Sequence, residues 1–277
     1  MEFTFIERGV IAAILIGLIA PLVGSLLAVR RSSIISDSLS HVTLTGISAG
    51  VLLGQTVNFT EVNPLYIGFI FSLIGSLVIE KLRQTYHHFQ ELAAPIILSA
   101  GIGISAVIMS AARAGYSEWY DYLFGSIVSV TNEDLIFIVL TALFVIFLLG
   151  LFYKEFISVS FDQEYAKVSG VSVKYINFLF SLLIALVISI SMKVVGILLV
   201  GALISLPVAA SLQIAKSFKQ LLIWGVILGE AAVLAGIYFS YHYDIATGGM
   251  IVVTSSVLLI IILLKQKYLY AFDGRNK

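Results

Sequence analysis

The chain has no cysteine, only four prolines and only two tryptophans among its 277 residues. Without thiols there is no disulfide framework, no thiolate metal site and no cysteine nucleophile, so any metal must be held by nitrogen and oxygen ligands. Charge is scarce as well: Asp, Glu, Lys and Arg make up 12% of the residues, against about 25% in a soluble globular domain. Sixteen basic residues balance sixteen acidic ones. That balance leaves no basic excess to grip nucleic acid and no acidic tail to read as disorder. No low-complexity tract marks a linker, and one membrane domain over residues 1–277 is the simplest partition.

What is present is apolar, with 60% hydrophobic residues and a mean hydropathy of +1.06. A helix crossing about 30 Å of hydrocarbon needs about 20 apolar residues at about 1.5 Å each. The sequence supplies such runs at 9–29, 33–57, 64–79, 92–112, 135–153, 175–192, 194–211, 221–241 and 245–264. These predict an all-α polytopic membrane protein of about nine spans. Only Lys193 separates the sixth run from the seventh, so the count is nine with a turn there and eight without it.

Cytoplasmic loops collect Lys and Arg. Nine spans with the N-terminus outside and the C-terminus inside place thirteen of the sixteen basic residues within the cell, and leave only Arg8, Arg113 and Lys193 outside. This bias favours a turn at Lys193. The first run is preceded by Glu2 and Glu7 against a single Arg8 and is too long for a signal-peptide core, so it reads as a mature helix.

Two loops exceed a simple hairpin. The outer one, 113–134, carries Trp119, Tyr120, Tyr122 and Phe124 and predicts a short interfacial helix. The inner one, 154–174, contains Phe161-Asp-Gln-Glu-Tyr-Ala-Lys-Val-Ser-Gly170, a short amphipathic helix ending at a glycine suited to a C-cap. A helix too polar to insert and too short to stand alone rests on a partner.

Ionisable groups inside a bilayer cost several kcal/mol and mark functional sites by default. The second run opens with Ser-Asp37-Ser-Leu-Ser-His41, whose acid and imidazole are four residues apart and so share a helical face. A helix starting just after Arg31 puts His41 about 15 Å deep at about 1.5 Å per residue. The pair offers oxygen and nitrogen ligands to one divalent cation, and two copies across a dimer axis make four. A second reading stands beside this one, in which Asp37 caps the helix and His41 bonds a neighbouring helix. Gly46, Gly50 and Gly54 recur every fourth residue and form a ridge for close helix packing.

Glu230, after Gly229, is the other acid deep in a span, read either as a held carboxylate or as part of a pathway. His242, between Tyr241 and Tyr243 near an outer helix end, either touches an arriving cation or belongs to an aromatic belt. His87 and His88 fall in a charged inner loop and read as solvated. There is no phosphate-binding loop, no H-E-x-x-H and no nucleophile elbow, so the chain has no means of hydrolysing ATP itself.

Leu-Ala-Val-Arg-Arg31, followed by Ile-Ile-Ser-Asp37-Ser-Leu-Ser-His41-Val-Thr-Leu-Thr-Gly46, resembles the arginine-then-Asp-x-x-x-His signature of the ABC importer permeases for zinc and manganese. The Phe161–Val171 stretch is similar to that family's coupling segment. Val195-Gly-Ile-Leu-Leu-Val-Gly-Ala-Leu-Ile-Ser-Leu-Pro207 is similar to its Gly-to-Pro helix, and Thr247-Gly-Gly-Met-Ile-Val to its last span. Members often have Ala and Pro where this chain has Ser38 and Thr45.

The resemblance implies a bacterial cytoplasmic-membrane protein with the permease fold of vitamin and siderophore importers, assembled as a homodimer about a central pathway. It implies a coupling segment at about 160–172, with Phe161, Asp162, Glu164, Ala166, Gly170 and Val171 meeting cytoplasmic ATPase subunits, and an extracytoplasmic metal-binding protein at the outer loops. Asp37 and His41 would handle the transported ion, with no permanently bound cofactor and Glu230 and His242 as lesser candidates. Tyr122-Leu-Phe-Gly-Ser-Ile127 looks more like the zinc-handling members, making zinc the first expectation and manganese or iron the alternative. An ion-coupled secondary carrier is the competing class, but the matched halves usual there are not visible. An intramembrane enzyme would need a second motif to complete a catalytic set.

Overall fold

The computed structural model describes residues 4–57, 63–86, 89–112 and 116–273. The elements are α1 (Phe5–Val29), α2 (Ile34–Val57), α3 (Pro64–Thr85), α4 (Ala93–Ala111), α5 (Tyr116–Phe124), α6 (Asn132–Leu151), α7 (Tyr153–Phe161), α8 (Gln163–Val168), α9 (Val173–Val195), α10 (Ile197–Ile214), α11 (Phe218–Tyr243) and α12 (Thr247–Asp273), with a 3₁₀ turn at Gln90–Leu92. Arg113, His87, His88, Arg275 and Lys277 lie outside the described residues.

Eight of the long helices are apolar enough to cross a membrane by length and composition. The ninth long helix, α2, is excluded by its polarity and not by its length. The sixth and seventh runs are separate helices, but the break is not at Lys193. That residue lies in the last turn of α9, and the chain turns at Gly196, whose φ of +84° suits a residue without Cβ. Gly125, at φ +75°, faces it so closely that a Cβ on either would run into the other's backbone. The same junction receives Gly248 at the start of α12, beside the backbone of Val195 and Phe124.

Local chemistry sets the helix ends. Thr4 and Glu7 form a capping box on α1, and Thr131 and Asp134 form another on α6. Between α1 and α2 the chain reverses within a few residues: Arg31 takes a left-handed φ of +52°, and the Ser32 N–H donates to Leu27 O at 3.0 Å. The 154–174 segment holds α8 and most of α7 where the sequence indicates one helix.

The long helices alternate in direction. One end of the bundle carries α5, where Ser126 N–H donates to Lys193 O at 3.1 Å; the other carries α7 and α8, beside the start of α9. α1 and α9 are the most enclosed of the eight apolar helices, with α10 packed on both. α3 and α4 pack on α2, while α11 and α12 lie on the far side against α1 and α10. Apolar burial does not drive helix association in lipid, so close backbone approach matters. Gly225 and Gly229 of α11 receive Pro21 of α1, and Gly236 receives Ile251 of α12.

At the α5 end, Asp134 is 1% exposed. Its carboxylate accepts from Asn63 Nδ2 at 2.9 Å and from Thr131 N–H at 3.0 Å, and pairs with Lys193 Nζ at 3.4 Å. The starts of α3 and α6 and the end of α9 are thereby joined. Removing one partner of a buried pair costs about 3–5 kcal/mol, because the other charge is stranded. Lys193→Met is therefore expected to lower the unfolding temperature in detergent, and Lys193→Met combined with Asp134→Asn to recover most of the loss. A double variant no more stable than the single one would show that the ion pair does not hold this end.

Candidate functional site

The long helix excluded by its polarity buries its hydroxyls against protein. Six hydroxyl side chains of α2 are buried: Ser36, Ser38, Ser40, Thr43, Thr45 and Ser48. Ser40 and Thr43 return their hydroxyls to the carbonyls one turn earlier, at 2.8 Å and 2.7 Å. Ser38 and Thr45 reach further. The Ser38 hydroxyl donates to Ala94 O at 2.8 Å and that of Thr45 to Gly101 O at 3.1 Å, both on α4. These are the two positions at which the chain departs from the pattern it resembles, and they bind α2 to α4 on either side of His41.

His41 lies at mid-height. Its Cβ and backbone pack against Gly101 near the middle of α4, and its neighbours Leu39 and Val42 pack on Gly75 near the middle of α3. Asp37, one turn earlier, sits over Gly201 of α10, where its Oδ1 occupies the space a Cβ would take. Both belong to the unbroken helix α2, so the i, i+4 spacing sets them on one face. Asp37 is exposed and His41 half-buried, although the α2 residues around them are mostly buried. Neither side chain makes a hydrogen bond or ion pair among the described residues, and no cluster of three or more His, Asp or Glu forms there. One chain thus presents two unused donors, one oxygen and one nitrogen, on an open face at the middle of the bundle.

The other sequence candidates stand apart. α11 packs on α1, α10 and α12, so Glu230 is not brought to the pair. Its carboxylate lies over Gly17 of α1, with Oε1 buried and unpartnered. His242 is exposed in the last turn of α11 and stacks on Tyr238 with ring centroids 6.1 Å apart. Gly46 and Gly50 face Ile67, Gly68, Phe71 and Pro64 of α3, and Gly54 is half-buried one turn further on.

α8 is a separate device at one end. Asp162 caps it, accepting the N–H groups of Glu164 and Tyr165, both at 2.9 Å. Gly170, at φ +86°, closes it while Val171 N–H donates back to Ala166 O at 3.0 Å. Ala166 is fully buried against its own chain, which seats the helix. Phe161, Tyr165 and Val168 are 64%, 67% and 89% exposed. Tyr165 and Val168 were not singled out in the sequence; their three-residue spacing was the signal that they share a face of α8, whereas Phe161 ends α7 before the extended Asp162.

The α2–α4 bonds carry a direct expectation. Ser38→Ala and Thr45→Val each remove one interhelical hydrogen bond, worth about 0.5–1.5 kcal/mol. Each is expected to lower the detergent unfolding temperature modestly and the pair to lower it further, measured by thermal unfolding of purified protein. Unchanged unfolding in the double variant would mean that α4 holds α2 by packing alone.

Comparison with known proteins follows the same features. The ABC 3 transport family matches residues 2–266. The chain is 31% identical over 249 residues to a Treponema pallidum (strain Nichols) protein named probable metal transport system membrane protein, covering 90% of this chain and 91% of that one. It is 28% identical over 253 residues to the manganese transport system membrane protein MntC of Listeria monocytogenes, covering 91% and 87%. Among solved structures, PsaBC from Streptococcus pneumoniae in complex with Fab superposes with a TM-score of 0.84 at 25% identity, over 98% of this chain and 96% of that one. With the matched residues running through every helix from α1 to most of α12, the chain belongs to the ABC 3 transport family.

Proposed function

We propose that the chain is the permease subunit of an ATP-driven importer of divalent metal ions, that manganese is its principal cargo, and that two copies line the pathway with Asp37 and His41. The observation that carries the reading is the unpartnered carboxylate and imidazole on an open mid-height face of α2. In lipid such a face is costly. A second copy about a two-fold axis covers it and brings four donors, two oxygen and two nitrogen, to one ion.

Eleven basic residues of the described chain gather at the α8 end, from Arg30 to Lys267, against Arg8 and Lys193 at the α5 end. By the positive-inside rule the α8 end faces the cytoplasm, and the N-terminus lies outside. The exposed apolar face of α8 then meets the ATPase subunits, and the α5 end receives the cation from a binding protein. Four mixed ligands replace part of the ion's water shell without holding it too tightly for release.

The choice of manganese over zinc rests on relatives named for manganese transport, such as the Listeria protein. The zinc expectation drawn from the 122–127 stretch has no such support. Carboxylate and imidazole accept both ions, and manganese binds the more weakly, as suits a site that must let go.

The test is uptake of radioactive manganese and zinc by cells lacking their own importers and expressing the chain with its ATPase and binding protein. Asp37→Ala and His41→Ala are expected to cut manganese uptake by about 10-fold or more. Gly201→Val is expected to do the same by evicting the Asp37 carboxylate, with the assembled complex still recovered from the membrane. Full uptake in all three variants would remove the pair from the pathway, and uptake of zinc alone would reverse the cargo.

A further inference from the structure

Arg30 stands where the α1–α2 turn meets the helices beside α8. Its Nε donates to Ser160 Oγ of α7 at 3.0 Å, and its Nη1 to Asn177 Oδ1 of α9 at 3.0 Å. The guanidinium lies over the Phe180 ring, 3.9 Å from its centroid. Asn177 in turn donates to Glu80 Oε1 of α3 at 3.5 Å. Burial lowers the Arg30 pKa to about 10, against the pull of Glu80 and with the push of Arg83, so the group stays charged at neutral pH. One planar cation thus joins α7, α9 and, through Asn177, α3.

The position of this joint in the chain gives it a use. Ser160 is two residues before Asp162, the cap of α8, and Arg30 is seven residues before Asp37. The Ser160 side chain turns into the bundle, away from the exposed face of α8. Beside the joint a cavity of about 490 Å³ is lined by Glu80, Arg83, Gln163, Lys174 and Asn177. The first residue of α8 therefore borders open space beside α3 and α9, while Ala166 keeps the helix seated on the chain. Ser160 and Arg30 form a hydrogen-bonded route from the segment just before α8 to the turn just before α2.

We infer that Arg30 is a positioning residue that passes movement of α8 to α2, so that ATP hydrolysis and cation release stay in step. This rests on the permease reading above. A fork of N–H donors aimed in two directions while stacked on a ring is a task for arginine and not for lysine. If Arg30 were only a staple at the end of α1, weakening it would lower the amount of assembled complex and leave the cations moved per ATP the same.

The experiment uses the complete transporter, permease with ATPase and binding protein, reconstituted in vesicles, with manganese uptake and ATP hydrolysis measured together. Arg30→Lys and Ser160→Ala are expected to keep hydrolysing ATP while uptake falls, raising the ATP consumed per cation several-fold. Ser160→Thr, which retains the hydroxyl, is expected to restore the wild-type ratio. An unchanged ratio in Arg30→Lys and Ser160→Ala, whether both activities fall together or neither does, overturns the inference. A wild-type complex whose hydrolysis moves no cation is a different failure, which overturns the permease reading and this inference with it.

Discussion

A hydroxyl in the hydrocarbon layer has no water to bond, and α2 carries six buried ones. Five of the six meet it with a hydrogen bond, and Ser48 Oγ alone of them is buried without a partner among the described residues. Two hydroxyls cross to carbonyls of α4, those of Ser40 and Thr43 turn back on α2 and that of Ser36 on Ser33 just before it, and Gly46 and Gly50 let α3 come close. A helix enclosed in this way can carry an acid and an imidazole at mid-height, because protein surrounds the rest of its circumference. The face left open is the one with Asp37 and His41. Gly201 sets its edge, since any larger residue would claim the place of the carboxylate.

The two ends of the bundle are built differently around this centre. At the α5 end the chain is locked by backbone contact at Gly125, Gly196 and Gly248, and by the buried Asp134–Lys193 pair. α10 starts from this locked junction and carries Gly201 to the site. At the α8 end Arg30 makes polar contacts to α7 and α9, and a cavity lies beside them. A rigid junction at the α5 end with a looser one at the α8 end suits a membrane component of an ABC system, in which movement is delivered to one end. The chain is itself no enzyme; ATP hydrolysis belongs to a separate subunit.

Much of this was legible in the sequence. Nine apolar runs at near-regular spacing correspond to nine long helices among the described residues, and the i, i+4 Asp/His spacing placed both groups on one face because α2 is helical throughout. The glycine at 170 marked the end of α8. Less legible was whatever depends on packing between distant segments. Lys193 looked like a loop residue because a lone charge between apolar runs usually is, but its partner Asp134 lies far away in sequence and turns it inward. The 33–57 run was legible as a span, but composition cannot show that two of its hydroxyls meet carbonyls of α4. Nothing near Gly201 indicated that it lies beneath Asp37, and nothing near Arg30 that its partners are Ser160 and Asn177.

The central claim is that the cation passes between Asp37 and His41 of two copies. Its most direct test is anomalous X-ray scattering from crystals of the assembled transporter grown with manganese. The account predicts a manganese peak on the two-fold axis between the α2 helices, within coordination distance of the Asp37 carboxylate and the His41 imidazole of each copy. A peak elsewhere in the membrane region, for example beside Glu230, with Asp37 and His41 left uncoordinated, would contradict it.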